Sequence, residues 1–514
     1  MEARIRPYET GENRMTSHTK SAGSQMASAR GESNPGNLGH YLALAGFTSY
    51  AIFAPHSIAA AEISIAIAIV GWVTRTIVTR HSDIRRTEFD LPIAAFLIWT
   101  VISSIFSVEP AISIGKLQSS WLPVVFYVSQ AVLTRKSALC LACLLILSGV
   151  AGTFYSLYDL ARGRGVTIES IGSNSPFRAI DVQPGDTIWR IDGRRIYSVG
   201  ELDHVMRQIE PGRHVAIGVI SSGEQVERSG LVVTAEMKQQ SSPSGITGLQ
   251  RSHRFRASGW TRHYETFSEI LQMIAQLSLG LALANLRNHG MNNRFRLAML
   301  AGILLATGIA LTAMRSVLVA FAVGASLIVW RSVRGRTRLA LSAAIIVLLV
   351  VGSFVVWTTR AQHALILKDP SSSLRIQVAR VALSRIMIHP VFGHGMDSIH
   401  LHWSEWGFPG REMVPMHSTP LQLAFDRGLP ALFFWLWIVG AFLFAAARAE
   451  RVASDGGDTN RYGLLLGIFG AVTGFFVSSL VNYNFGDAEV ALLFWFLMGS
   501  FVSLRRAPRP YGDV

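Results

Sequence analysis

Long apolar runs separated by short basic links constrain this chain more than any other feature. Half of its 514 residues are hydrophobic and only 16% are charged. A helix needs about 20 mostly apolar residues to cross the hydrocarbon core of a bilayer. The sequence therefore predicts an all-α polytopic membrane protein. About twelve spans are expected, at 39–56, 58–77, 91–107, 118–133, 138–158, 265–286, 297–313, 315–331, 339–358, 420–446, 462–482 and 486–504.

The basic residues predict which way the spans run. We divide the apolar stretch 297–331 at Arg315, because a charge at mid-bilayer is expensive. Lys and Arg then gather in every second link, and the positive-inside rule places these links and both termini in the cytoplasm. The other side receives two long polar segments, 159–264 and 359–419. The net charge of +14 is thus explained by topology and by contacts with anionic lipid headgroups, not by nucleic-acid binding.

The same pattern divides the chain into regions. A polar segment, 1–37, has no apolar core and is expected to be a disordered cytoplasmic tail. Further regions are then expected as follows: spans 1–5 in 38–158, a β-rich domain in 163–236, spans 6–9 in 251–358, a polar loop in 359–419, spans 10–12 in 420–504, and a cytoplasmic tail in 505–514.

Residues 163–236 have the sequence pattern of a small β domain. Short β-branched runs alternate with Pro-Gly turns at 184–185 and 211–212. Ser198 and Glu201 form a capping-box pattern at the start of a short helical stretch, 198–208. The predicted strands are 166–171, 187–191, 214–220 and 226–233.

Four short motifs in this region resemble a PDZ domain of the bacterial protease type. They are Gly165-Val-Thr-Ile, Asn174-Ser-Pro-Phe-Arg-Ala, Gln183-Pro-Gly-Asp-Thr-Ile and Ile191-Asp-Gly-Arg-Arg-Ile. The resemblance implies that a peptide adds a strand to a sheet edge, with its terminal carboxylate held by backbone amides. The loop would be formed by Gly163, Arg164 and Gly165. The alternative is a PDZ-like spacer that binds nothing.

A PDZ domain in a membrane protein raises the possibility of an intramembrane protease, but the necessary motifs are missing. The sequence contains neither His-Glu-x-x-His nor Gly-x-Ser-x-Gly. Cys140 and Cys143 lie in an apolar run without a second ligand pair, so neither metal nor redox chemistry is expected there. No metal and no cofactor are predicted.

The segment 388–430 is the most informative about chemistry. It contains Ile388-His-Pro-Val-Phe-Gly-His-Gly and Met416-His-Ser-Thr-Pro-Leu-Gln-Leu-Ala-Phe-Asp-Arg-Gly-Leu-Pro. Thr419 and Pro420 fit the N-cap and first residue of the next span. His417 is therefore expected just outside the membrane, at a helix N-terminus that favours phosphate groups.

These two motifs resemble the O-antigen ligase and polymerase superfamily. Arg315, in Leu311-Thr-Ala-Met-Arg-Ser, matches a further family feature, and so do Arg256-Ala-Ser-Gly-Trp and the following His263-Tyr-Glu-Thr-Phe. Members are metal-independent, inverting glycosyltransferases that transfer glycans from undecaprenyl pyrophosphate at the outer face of the bacterial inner membrane. The resemblance thus implies a multi-pass inner-membrane enzyme with a periplasmic active face. Its acceptor would be a lipid, a glycan or a protein.

By the same resemblance, Arg256 and Arg315 would bind the pyrophosphate and His417 would act at the acceptor hydroxyl. Arginine makes bidentate contacts to phosphate, and histidine is the natural base near neutral pH. Additional substrate-binding candidates are Arg254, His263, His389, His394, Asp426 and Asp487.

Each candidate also has a purely structural interpretation, and other functions stay open. Arg315 at a span end is suited to reaching lipid headgroups, and His394 between two glycines is typical of a turn. A ligase and a polymerase share this chemistry and differ only in the acceptor. A lipid-linked glycan transporter or a non-catalytic scaffold that docks partners through its PDZ-like domain are the alternatives from other classes.

Overall fold

A computed structural model describes residues 35–505, except 174, 222–223, 248–249, 254, 262, 360–369, 411–415 and 455–456. The described chain is mostly helical, with one small β domain, so the predicted fold class is confirmed. The first helices are α1 (Pro35–Phe53), α2 (Ile58–Thr79), α3 (Asp90–Phe106), α4 (Pro110–Gly115), α5 (Val124–Val132) and α6 (Arg135–Arg162).

The β domain follows α6 and contains two short helices, α7 (Val199–Gln208) and α8 (Ala235–Gln239). The remaining helices of the chain are α9 (Tyr264–His289), α10 (Asn293–Leu311), α11 (Arg315–Ser332), α12 (Gly335–Thr359), α13 (Pro370–Ile388), α14 (Ile399–His402), α15 (Thr419–Ser454), α16 (Thr459–Ser479) and α17 (Ala488–Arg505).

Within the described ranges, eight helices are long and apolar enough to cross a membrane: α2, α6, α9, α10, α11, α15, α16 and α17. Each predicted span overlaps a helix, but the stretch 118–133 does not form one full span. A 3₁₀ turn over Lys116–Trp121 precedes α5, which has only 9 residues. Pro123 lies between the two, and proline cannot donate the amide that a continuous helix would need.

The helix α9 lies at the centre of the bundle, with almost every side chain buried. It packs closely against α16 because glycines face each other where the two helices meet. A Cβ atom on Gly280 would lie 2.4 Å from the carbonyl oxygen of Gly463. Small residues allow helix backbones to approach closely, which replaces the hydrophobic driving force that is missing between helices in lipid.

The β domain has a main sheet with the strand order β6-β5-β3-β1-β8, while β4 pairs with β3 and β2 pairs with β7. The strands are β1 (Arg164–Thr167), β2 (Ser170–Ile171), β3 (Thr187–Ile191), β4 (Arg194–Arg195), β5 (His214–Ser221), β6 (Glu224–Val232), β7 (Ile246–Thr247) and β8 (Gln250–Ser252). Apolar side chains of the strands and of α7 form a separate core.

The sequence signals of the β domain are seen in its local structure. The hydroxyl of Ser198 accepts the amide of Glu201 at 3.1 Å, and the carboxylate of Glu201 accepts the amide of Tyr197 at 2.7 Å. Both groups therefore satisfy donors at the start of α7. The strands β7 and β8 lie beyond the expected domain limit at residue 236, so the sheet recruits the following segment as well.

Candidate functional site

Two helix starts meet at Asn482, in the link between α16 and α17. The side-chain amide of Asn482 donates to the hydroxyl of Ser316 at 3.0 Å and to the carboxyl of Glu269 at 3.0 Å. The backbone carbonyl of Asn482 accepts the backbone amide of Thr419 at 3.1 Å. Arg315 directly precedes Ser316, and His417 lies two residues before Thr419. One asparagine thus ties together the backbones that carry both of these candidates.

Arg256 is held beside the same helix start. It is only 7% exposed, and its guanidinium carbon lies 4.0 Å from the centre of the Tyr264 ring. Its Nη1 lies 3.6 Å from the sulfur of Met314, the residue before Arg315. The backbone amide of Ala257 also donates to the carbonyl of Leu311 at 3.0 Å. The structure therefore brings Arg256 to the start of α11.

Helix starts of this kind attract anions. The helix dipole places partial positive charge at the starts of α11 and α15. At α15 the amide of Thr419 is paired with Asn482 and that of Leu421 with the hydroxyl of Ser418, so the attraction there comes from the dipole and not from free amides. His417 adopts a left-handed backbone conformation with φ of 49°. A residue without glycine's freedom holds such a conformation at a cost of about 1–3 kcal/mol, which surrounding structure must offset. Such outliers gather at functional sites.

His417 is uncharged at neutral pH in this environment. Burial and, to a smaller extent, the positive charge of Arg375 lower its pKa to about 4. The imidazole therefore has a free lone pair and can accept a hydrogen bond or a proton. A general base must be in this form before the reaction begins.

Arg375 is a candidate that the sequence analysis missed. It lies on α13, inside the segment expected to be a polar loop, and its Nη2 lies 3.9 Å from a carboxylate oxygen of Glu265. The sequence feature that indicates this helix is the run Pro370-Ser-Ser-Ser, because proline and serine are frequent at helix starts. Arg375 adds a third guanidinium near the site of Arg256 and Arg315.

His263 and Asp487 both lie near the start of α9. His263 is the residue before α9, and the hydroxyl of Thr266 donates to the carboxylate of Asp487. Burial raises the pKa of Asp487, while Thr266 and the nearby His263 act in the opposite direction. The two residues therefore lie close enough for an electrostatic interaction near the start of α9.

His389 and His394 belong to a different cluster, around a break in α15. Gly428 has φ of 80° and ψ of 171°, and Pro430 follows it, so the helix hydrogen bonds are interrupted there. The amide of His394 donates to the freed carbonyl of Phe425 at 2.8 Å, and that of Leu429 donates to Pro390 at 2.7 Å. The motif around His389 thus supplies backbone partners to the broken helix.

The glycines of this motif are required by close packing. A Cβ atom on Gly393 would lie 2.6 Å from the backbone nitrogen of Arg427, and one on Gly428 would lie 1.8 Å from the carbonyl oxygen of Val391. His394 is 1% exposed and stacks on the Phe425 ring at 4.5 Å. Burial lowers the pKa of His394 to about 4, so it is neutral inside this cluster.

Asp426 faces a polar cavity beside the break. Its carboxylate accepts the side-chain amide of Gln422 at 3.0 Å. The cavity has a volume of about 300 Å³ and is also lined by Arg427, Tyr483 and Lys116. Tyr483 directly follows Asn482 in the sequence, so this cavity lies next to the link between α16 and α17.

The predicted PDZ loop joins the β domain to the membrane helices. The amide of Gly163 donates to the carbonyl of Asp159 at 3.0 Å and ends α6. Arg164 is 3% exposed, and its Nε lies 2.6 Å from the Asp159 carboxylate. Its guanidinium carbon also lies 4.5 Å from the ring centre of Phe255. Carboxylate binding by this loop, with Gly165, stays a prediction, and Arg254 lies outside the described residues.

Comparison with known proteins matches both parts of the chain. Residues 300–436 match the O-antigen ligase family, and residues 149–229 match the PDZ domain family. The first match includes Arg315, His417 and the whole of the motif around His389. Both matches agree with the resemblances stated from the sequence.

Two curated relatives are similar over a short stretch. The magnetosome formation protease MamE of Magnetospirillum gryphiswaldense is 31% identical over 88 residues, which is 17% of this chain and 10% of that protein. MamE of Paramagnetospirillum magneticum is 34% identical over 62 residues, 12% of this chain and 8% of that protein. The chain thus matches about a tenth of the length of these relatives. This chain is a multi-pass helical membrane protein that combines a PDZ domain with a region similar to O-antigen ligases.

Proposed function

We propose that this protein transfers a glycan from undecaprenyl pyrophosphate to an acceptor hydroxyl at the periplasmic face of the bacterial inner membrane. This places it in the synthesis of lipopolysaccharide or another surface polysaccharide. The observation that carries the proposal is the junction at Asn482, which holds the starts of α11 and α15 together beside Arg256. The residues next to Arg315 and His417 in the sequence are joined through Asn482, and Arg256 contacts the residue before Arg315, which supports a shared site.

In this proposal, Arg256 and Arg315 bind the diphosphate of the donor. A diphosphate leaving group carries negative charge that grows as its bond to the sugar breaks, and fixed guanidinium groups stabilise it. The buried position of Arg256 on the Tyr264 ring fixes its orientation before the donor arrives. The partial positive charge at the starts of α11 and α15 adds to this attraction.

His417 then acts as the general base. The acceptor oxygen attacks the anomeric carbon as its proton passes to the imidazole. The bond from that carbon to the diphosphate oxygen breaks, and the diphosphate leaves with the electron pair, so the configuration inverts. A bound diphosphate also raises the pKa of a nearby histidine, because opposite charges favour the protonated form. The neutral imidazole of the empty site thus becomes a better base once the donor is bound.

A His417→Ala variant tests the proposal in the living cell. The lipid-linked and surface glycans of a strain that carries only this variant are compared with those of the parent strain. His81→Ala, at an exposed histidine in the link after α2, is the control. We expect loss of mature surface glycan with His417→Ala and no change with the control. Normal glycans with His417→Ala would reject the enzymatic role and support a scaffold.

The glycan that accumulates separates the two forms of the reaction. Long chains stranded on the carrier lipid indicate loss of a ligase, whereas single repeat units indicate loss of a polymerase.

A cysteine variant at position 417 tests the orientation of the protein, by labelling from either side of the membrane. Labelling from the cytoplasmic side alone would contradict the proposal, since the donor glycan is on the other side.

A further inference from the structure

The segment that follows the β domain folds back onto it as two added strands. Strand β7 pairs antiparallel with β2, with Thr247 opposite Ser170. Strand β8 pairs antiparallel with β1, with Ser252 opposite Arg164. Next to the β2–β7 pair, the amide of Gly172 donates to the carbonyl of Gly245 at 2.9 Å. The segment thus follows the edge of β2 and β1 over its described length.

The same segment also contacts the helix α7. The carboxylate of Asp203, 7% exposed, accepts the hydroxyl of Ser242 at 2.8 Å and the amide of Ser244 at 2.9 Å. A guanidinium nitrogen of Arg207 donates to the carbonyl of Ser241 at 2.7 Å. The segment therefore lies between one helix and one sheet edge, with hydrogen bonds to both.

A PDZ domain binds an extended peptide as an extra strand on such an edge. The other edge of β1 is already occupied by β3, with Val166 opposite Ile188. The edge that a peptide would use is therefore the one that β8 covers. The segment ends beside the predicted carboxylate loop, because a Cβ atom on Gly163 would lie 2.8 Å from the His253 ring.

We propose that the described residues of the segment 240–253 are an internal ligand of the PDZ domain, and that an external peptide binds only after displacing them. A tethered segment has an effective concentration on the order of millimolar. An external peptide that presents the same backbone contacts must overcome this advantage. The external partner is thus an extended peptide of higher intrinsic affinity than the internal segment.

The internal ligand leads directly to the candidate catalytic residues. Phe255 follows it and packs on the guanidinium of Arg164, and Arg256 comes next. Displacement of β8 releases the chain on the N-terminal side of Arg256. If the proposed function holds, occupancy of the PDZ groove by a partner changes glycan transfer. The internal ligand itself is inferred without that function and is tested separately.

A disulfide bond tests where the segment lies. The hydroxyls of Ser170 and Thr247 lie 2.5 Å apart across the β2–β7 pair. Ser170→Cys and Thr247→Cys are combined in a full-length chain whose Cys140 and Cys143 are replaced by serine. We expect nearly complete crosslinking under mild oxidation, in detergent and in liposomes. Absence of a crosslink, although each single cysteine reacts with maleimide, would overturn the proposal.

A competition experiment tests the displacement. The probe is a fluorescein-labelled peptide with the sequence of residues 241–253, added to the full-length cysteine-pair protein. Ser242→Ala with Ser244→Pro weakens the internal segment at its bonds to Asp203, while the groove and the probe stay unchanged. We expect at least about 10-fold tighter probe binding after this change. Ser241→Ala, which keeps the carbonyl that Arg207 contacts, is the matched control and should leave probe binding unchanged.

The disulfide then decides between displacement and binding elsewhere. Oxidation of the weakened variant should abolish probe binding, because the internal segment can no longer leave. Reduction should restore it. Equal binding by the oxidised and reduced forms would overturn the proposal, whatever the activity of the enzyme. Loss of glycan transfer in His417→Ala has no bearing on this result, so the two proposals fail independently.

Discussion

Replacement of Asn482 by alanine should damage the candidate site more than any other single loss of an asparagine. The two N–H bonds of its side-chain amide are shared among Ser316, Glu269 and Ser478, at 2.9–3.0 Å. A hydrogen bond to a neutral group contributes about 0.5–1.5 kcal/mol. The loss of two N–H bonds therefore removes about 1–3 kcal/mol of stabilisation where α9, α11 and α16 meet.

The loss of activity is expected to exceed the loss of folded protein. Without the bond to Ser316, the start of α11 is no longer fixed relative to the start of α15. A misplacement of about 1 Å costs a reaction about 100-fold. We expect transfer per folded molecule to fall by about that factor, measured in proteoliposomes with lipid-linked donor extracted from the native strain.

Two other asparagines provide matched comparisons. Asn484 accepts the Thr419 hydroxyl at 3.2 Å but has no described bond to α11, so Asn484→Ala should have a smaller effect. Asn288 donates to Thr459 at 2.9 Å at the far end of α9. Asn288→Ala should lower stability by about 1 kcal/mol and leave transfer per folded molecule unchanged. Equal activity of the Asn482 and Asn288 variants would refute the reasoning.

Two further predictions concern the break in α15 and the charge of His417. Gly428→Ala places a Cβ atom 1.8 Å from the Val391 carbonyl oxygen and should lower the free energy of unfolding by about 3 kcal/mol or more. Gly440→Ala, in the same helix, meets nothing within 4 Å and should leave stability unchanged. Thermal unfolding compares the two, and equal midpoints would contradict the account. Diethyl pyrocarbonate modifies neutral imidazole, and peptide mass spectrometry measures the labelled fraction of each histidine. Half-maximal labelling is expected near pH 4 for His417, but above 6.5 for His402, whose pKa is raised by hydrogen bonds to carboxylates. The same midpoint for both would contradict it.

The same pKa shift affects stability with a definite sign. The folded-state pKa of His417 lies below its unfolded value of 6.5. The unfolded chain therefore binds the proton first, and the stability due to the neutral imidazole is present above pH 6.5. It is lost progressively as the pH falls from there towards 4.

The sequence predicts the bundle well because the apolar runs reflect one strong physical requirement. The backbone N–H and C=O groups of each run must form hydrogen bonds within the run when it lies in lipid, and a helix meets this requirement. The segment 118–133 fails this rule because Pro123 interrupts a run that composition alone describes as continuous. The helix α13 was missed because its many polar and basic residues resemble a loop.

The roles within the site are harder to predict than the site itself. The spacing of His389, Gly393 and Gly428 identifies an unusual backbone, but a pattern of letters does not separate a substrate loop from a support for a broken helix. The hydrogen bonds from this loop to Phe425 and Leu429 appear only once the fold is known. Asn482 was missed for the same reason: its partners are distant in sequence.

The central claim is that guanidinium groups at the starts of helices bind the diphosphate of the donor. Arg315→Ala tests it most directly, in proteoliposomes with lipid-linked donor and with Arg336→Ala, at an exposed arginine just inside α12, as the control. The account predicts that Arg315→Ala abolishes transfer while the protein inserts normally, that Arg315→Lys restores only a small part, and that the control is fully active. Normal transfer by Arg315→Ala would contradict the account.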